Sequence, residues 1–157
     1  MTIKLIRLLQ LFTYLLVTSQ AAFYLVVFGE ALKLSSIENF LEHRRAVENL
    51  VAERYRLIYY GCLVCSMITL AIAAKRPNSP FFISSAVAFI FLLADVTIAL
   101  KLNIPLNHLI NTSGKGVSGA PWETVRTQWL EYFRYRGVFS CLGMISLLVG
   151  LVFDNKA

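Results

Sequence analysis

Four apolar runs, each long enough to cross a lipid bilayer, constrain this chain more than anything else in it. They lie at about 6–28, 57–74, 81–102 and 137–153. Each holds 17 to 23 residues, close to the ~20 that cover ~30 Å of hydrocarbon at 1.5 Å per residue. Backbone groups in lipid must pair within their own segment, so these runs fold as helices. The expected fold is an all-α membrane protein, an antiparallel four-helix transmembrane bundle, with residues 1–157 as a single domain. Composition agrees. Hydrophobic residues make up 57% and charged residues 15%, against about 45–50% and about 25% in a soluble domain. That balance excludes a disordered chain. The three cysteines all sit inside apolar runs, which excludes a disulfide scaffold.

The first run also carries a signal-peptide pattern. Lys4 and Arg7 precede a Leu-rich stretch, and Ser19-Gln20-Ala21 forms a cleavage-type site. The apolar sequence continues through Phe28, so the full run reads as an uncleaved span.

The connections are unequal. Lys75-Arg76-Pro77-Asn78-Ser79-Pro80 is a tight turn, which makes spans two and three antiparallel neighbours. Ser35 with Glu38 three residues on reads as a capping box. From there to Ala74 no Pro occurs and Gly61 is the only Gly. The second helix is then ~58 Å long, about twice the hydrocarbon thickness. Pro121 suits a first helical position, and no breaker follows it before Gly137. Helices two and four are therefore expected to extend beyond the membrane and to build a helical head from about 35–56 and 103–136. Pro105 is expected to stop helix three at the surface. Ser113 to Gly119 reads as a flexible Gly/Ser loop.

The net charge is +6, and the basic residues flank apolar runs. Membrane lipids with anionic headgroups are the partner this implies. No aromatic-and-basic single-strand platform and no zinc-finger spacing occurs, so nucleic acid is set aside. The head side carries ten Lys/Arg and seven Glu, and the tight-turn side has Lys4, Arg7, Lys75, Arg76 and Lys156 against Asp154. The positive-inside rule applies best to short loops near spans. Most head charges sit in helix, so both termini are read as cytoplasmic in a multi-pass integral membrane protein.

Asp95 is the most informative residue. A carboxylate inside a span costs about 2.5–3.5 kcal/mol and usually faces a partner or a cavity. Counting equal heights from the tight-turn side puts Gln20, Tyr24, Arg56, Asp95 and Arg136 in one layer, with Lys101 and Asn103 just above. Two readings stay open: a polar pocket opening toward the head, or an Asp95–Arg136 pair that fixes helix register. On helix two, Phe40, His43, Val47, Leu50 and Arg54 share a face. That face is expected to bring His43 and Arg54 toward Arg126 and Trp129 of helix four, where Trp122, Arg126, Trp129, Phe133 and Arg136 fall in line. His43 is read either as a packed residue or as a functional base. Glu38, Glu42, Glu48 and Glu53, alternating with Arg44, Arg45 and Arg56, read as a solvated face. His43 and His108 lack a carboxylate at ligand spacing, so no metal and no cofactor is expected. Cys62 and Cys65 have CxxC spacing. A four-span reductase of the vitamin K epoxide reductase type also needs loop cysteines, and this chain has none, so the pair reads as packing residues.

Asn103-Ile104-Pro105-Leu106-Asn107, followed by Trp122-Glu123, Arg126, Trp129 and Arg136, resembles the anthrone-oxygenase-like family of small four-span membrane proteins. That family shows an Asn-x-Pro-x-Asn element after the third span, then Trp, Arg, Trp and Arg at this spacing. His43-Arg44 is similar to a first-loop position of the family. Glu131-Tyr132-Phe133 stands where members often carry Asn or His. The resemblance implies oxidation of anthrones to anthraquinones without an evident metal or flavin. In that reading His43 removes the benzylic proton, and Arg126 or Asn107 stabilises the enolate. Asn103, Trp122, Trp129, Arg136, Asp95 and Arg54 would line the ligand. The alternative for Asn103, Asn107 and Trp122 is that they cap helix ends and anchor the interface. Two functions follow. One is binding or oxidising a lipophilic aromatic or quinone-like small molecule. The other is a non-catalytic membrane subunit whose head docks a partner protein or a second copy.

Overall fold

The computed structural model of the chain describes residues 2–113 and 120–154. They form four antiparallel rods. The first is α1 (Thr2–Phe23), a π turn (Tyr24–Phe28) and α2 (Gly29–Leu34). The second is α3 (Ile37–Ala73), 37 residues and about 56 Å at 1.5 Å per residue. The third is α4 (Pro80–Ile98), a second π turn (Ala99–Asn103) and α5 (Ile104–Thr112). The fourth is α6 (Ala120–Phe153), 34 residues without a break. Four helical stretches are long and apolar enough to cross a membrane: Ile3–Leu34, Ala52–Ala73, Pro80–Thr112 and Pro121–Phe153. The protein is thus a four-span all-α bundle whose second and fourth helices outreach the hydrocarbon.

Three local expectations are corrected. The cap of α3 is Ser36, not Ser35. Ser36 directly precedes the first helical residue with extended backbone, and its Oγ accepts from Asn39 N at 3.2 Å. Ser35 instead closes α2, donating from Oγ to Leu32 O at 2.8 Å. Second, the first rod does not end at Phe28 but continues to Leu34. Its π turn is closed by Gly29, where a Cβ would stand 2.6 Å from Tyr24 O. Third, Pro105 does not stop the third rod. A proline clashes with the carbonyl four residues back and lacks an N–H, and the wider π turn just before it removes both problems. The rod runs on to Thr112. Residues 114–119 of the expected Gly/Ser loop lie outside the described residues.

The rods pack as a square. α6 packs most extensively on α4, α1 lies against both α3 and α6, and the contact of α3 with α4 is the loosest of the four sides. Between the spans the core is Tyr14, Val17, Cys62, Ala88, Leu92 and Leu147. Lipid offers no hydrophobic drive between helices, so close approach matters there. Gly143 of α6 provides it: the Tyr14 hydroxyl occupies the place where a Cβ would be, and donates to Ala88 O at 3.0 Å. Leu8, Phe12, Leu15, Leu57, Ile90 and Val152 stay exposed on the outside, as a lipid-facing surface requires. At the tight-turn end Arg7 pairs with Asp154 at 2.8 Å and lies 4.0 Å over the Phe81 ring.

The head has a second core of Leu32, Ile37, Phe40, Leu41, Ile110, Trp129 and Phe133. Here ordinary hydrophobic burial applies, at about 1.5–3 kcal/mol for a side chain such as Phe40. The inward face of α3 follows Ile37, Phe40, Leu41, Arg44 and Glu48. It is turned from the expected Phe40-His43-Val47 face, so Arg44 is buried rather than solvated.

Candidate functional site

Two polar clusters are stacked along α6. The upper one is built on Trp129, which is 1% exposed. The second π turn and Pro105 set Asn103 and Asn107 one turn apart on the third rod, facing it. Asn107 Oδ1 accepts from Trp129 Nε1 at 2.8 Å and from Arg44 Nη2 at 3.2 Å. Asn107 Nδ2 donates to Glu48 Oε2 at 3.1 Å. Arg44 completes the ring with an ion pair to Glu48 at 3.0 Å, and its guanidinium lies 4.3 Å over the Trp129 ring. Burial pushes the Arg44 pKa down, while Tyr24 and Glu48 pull it back up. The Tyr24 ring packs tilted against Phe133, 4.4 Å between centroids. Asn103 Nδ2 donates to Trp129 O at 3.3 Å.

The lower cluster lies within the spans. Asp95 is fully buried. Its Oδ1 accepts from Arg136 Nε at 2.6 Å. Its Oδ2 accepts from the Tyr59 hydroxyl at 2.7 Å and from Ser140 Oγ at 3.1 Å. Arg136 Nη2 donates to the Tyr59 oxygen at 2.9 Å. Charge is neutralised in place, and both carboxylate oxygens are used. This is the arrangement a buried ion pair requires.

A cleft of about 400 Å³ joins the two clusters. It lies on the loosest side of the square, between α3 and the third rod. Tyr59 and Arg136 line it at one end, and Arg44, Glu48, Asn103 and Asn107 at the other. Leu63, Val96, Ala99, Leu100, Ile104 and Phe133 supply apolar wall between them. Cavities of this size, mostly apolar with a few fixed polar groups, are what small-molecule sites look like.

The structure brings Asp95, Asn103, Asn107, Trp129 and Arg136 together, in two linked clusters. It places the other expected residues elsewhere. Trp122 packs on the head core. Arg126 donates to Ser35 O at 2.5 Å and so closes the end of the first rod. His43 sits edge-on to Phe28, 5.1 Å between centroids, and does not line the cleft. Arg54 is exposed. Both expectations for His43 and Arg54 followed from the wrong face of α3. In the Asp95 layer, Gln20 and Arg56 line the cleft without bonding Asp95, and Tyr59, not among the expected residues, bonds it instead. Arg44, Glu48, Tyr59 and Ser140 were missed. Following Ile37 and Leu41 onward by three and four residues finds Arg44 and Glu48. Stepping four residues from Arg136 finds Ser140. Cys62 and Cys65 are free thiols. Among the described residues no group of three or more His, Cys, Asp or Glu is placed to hold a metal.

Comparison with protein-family models, with curated proteins and with solved structures finds no match. The class is defined by the geometry itself: a multi-span helical membrane protein with polar side-chain contacts between its helices.

Proposed function

We propose that the cleft binds a planar, lipophilic aromatic or quinone-like small molecule that reaches it from the bilayer. One observation carries this reading. A single cavity near the end of the spans has apolar walls and a polar cluster at each end, which suits a flat ligand with polar substituents. The resemblance of the Asn103–Arg136 stretch to anthrone-oxygenase-like proteins supports an aromatic ligand. The reading is one of binding, because His43, the base that the resemblance supplies, has no place on the cleft wall. The docking alternative loses its motive, since Phe40, Trp129 and Phe133 turn inward onto one another.

The chain has two tryptophans, so a Trp122→Phe variant reports from Trp129 alone. In that variant, in lipid nanodiscs, 2-naphthol is expected to quench Trp129 saturably. Adding Ala52→Phe, which fills the mouth of the cleft, is expected to remove the saturable part. Quenching that only tracks partition into lipid, unchanged by Ala52→Phe, would overturn the reading.

A further inference from the structure

Asn103 is 2% exposed, lines the cleft, and uses only half of its amide. The orientation of that amide follows from its partner. Trp129 O is a carbonyl and accepts only, so the nitrogen of Asn103 must face it. Oδ1 is then left buried with no hydrogen-bond partner. A buried carboxamide oxygen without a donor is costly, and native proteins rarely leave one so.

We infer that the ligand of this cleft presents a hydrogen-bond donor, a hydroxyl or N–H, to Asn103 Oδ1. The inference rests on the cleft being a ligand site and adds the polarity of its recognition. A quinone carries acceptors only at its carbonyls, and would set lone pairs against lone pairs at this atom. A phenol or hydroquinone completes it. The cleft thus selects hydroxylated, reduced aromatics over their fully oxidised or capped counterparts. Arg44 Nε, on the opposite wall, is also buried without a partner, so a ligand that accepts at a second position gains there too. A site built to meet a hydroxyl discriminates strongly against the analogue that lacks it.

The test compares 2-naphthol with 2-methoxynaphthalene, using Trp129 emission of the Trp122→Phe protein in nanodiscs and correcting each probe for its lipid partition. Methylation removes the donor and keeps the plane and the oxygen. The hydroxyl probe is expected to bind about tenfold more tightly. In Asn103→Leu, close in volume, the ratio of the two affinities is expected to fall to about one. Saturable and equal binding of both probes by the Trp122→Phe protein would overturn the donor inference and leave the cleft reading standing, a water then serving Oδ1. Binding of neither probe would overturn both. A preference that survives Asn103→Leu would assign the donor to another residue and overturn the inference.

Discussion

The two polar clusters on α6 differ in how completely they are satisfied. Around Asp95 both carboxylate oxygens accept, and the Tyr59 hydroxyl both donates and accepts. Around Asn107, about three turns farther along the third rod, Arg44 Nε and Asn103 Oδ1 are buried and unmet. The difference follows the solvent. In hydrocarbon no water arrives to complete a half-made network, so the inner cluster must be closed by side chains. At the edge of the membrane an open valence is tolerable, because a ligand or a water can fill it. On the proposed reading the inner cluster is the register device and the outer one the recognition surface.

Breaking the inner cluster has the largest effect. Asp95→Ala leaves Arg136 buried without its counter-ion, which costs about 3–5 kcal/mol. A steep loss of monodisperse protein, or of the melting midpoint followed by Trp emission in detergent, is expected. Replacing both partners, Asp95→Leu with Arg136→Leu, is expected to recover most of the loss. A double variant no better than Asp95→Ala would show that the pair does more than fix register. Gly143→Ala comes next. Its Cβ meets the Tyr14 hydroxyl, and overpacking of this kind costs about 1–3 kcal/mol. Tyr14→Phe in the same chain removes the colliding oxygen, so the double variant is expected to melt closer to the parent than Gly143→Ala alone.

The outer cluster responds differently. Asn107→Ala unpartners Trp129 Nε1 and frees Arg44 and Glu48 from their shared anchor. A loss of about 1–3 kcal/mol is expected, with Trp129 emission shifted to the red and 2-naphthol binding weakened. Arg126→Ala sharpens the contrast. It deletes one hydrogen bond to Ser35 O, so about 1 kcal/mol of stability is expected to go, with 2-naphthol affinity unchanged. Weakened binding in that variant would return Arg126 to the site.

Much of this was legible in the sequence. Span lengths follow from hydropathy, and Asp95 and Arg136 declare each other because a charge in lipid needs a partner. Asn103 stands out by its height beside Asp95, Trp129 by helical spacing, and Asn107 only through the resemblance of its Asn-x-Pro-x-Asn element. The phase of α3 did not. Phe40-His43-Val47-Leu50 and Ile37-Leu41-Arg44-Glu48 are both plausible stripes, and only packing against Trp129 chooses the second. A buried arginine over an indole ring looks, in sequence, like one more member of a charged face. The π turns were equally hidden. Each rotates its rod by a fraction of a turn, and the only local trace of the first is Gly29.

His43 supplies the smallest effect and the most direct check on that choice of face. Burial lowers its pKa below the ordinary 6.5, and the neighbouring Arg44 charge lowers it further. Its Nε2 is buried without a partner, so a second proton gains nothing and sets a cation beside Arg44. The unfolded chain takes up that proton near 6.5, while the folded chain resists it to lower pH. Below 6.5 the unfolded state thus binds more protons, and stability falls as the pH drops. Above 6.5 the contribution is fully present. His43→Phe is expected to flatten the decline of the melting midpoint between neutral and mildly acid pH by a few degrees at most. Because His43 packs on Phe28 and does not line the cleft, 2-naphthol affinity at neutral pH is expected to stay as it was. A large loss of affinity there, where the ring is neutral, would place His43 at the ligand and join the face of α3 that it marks to the outer cluster.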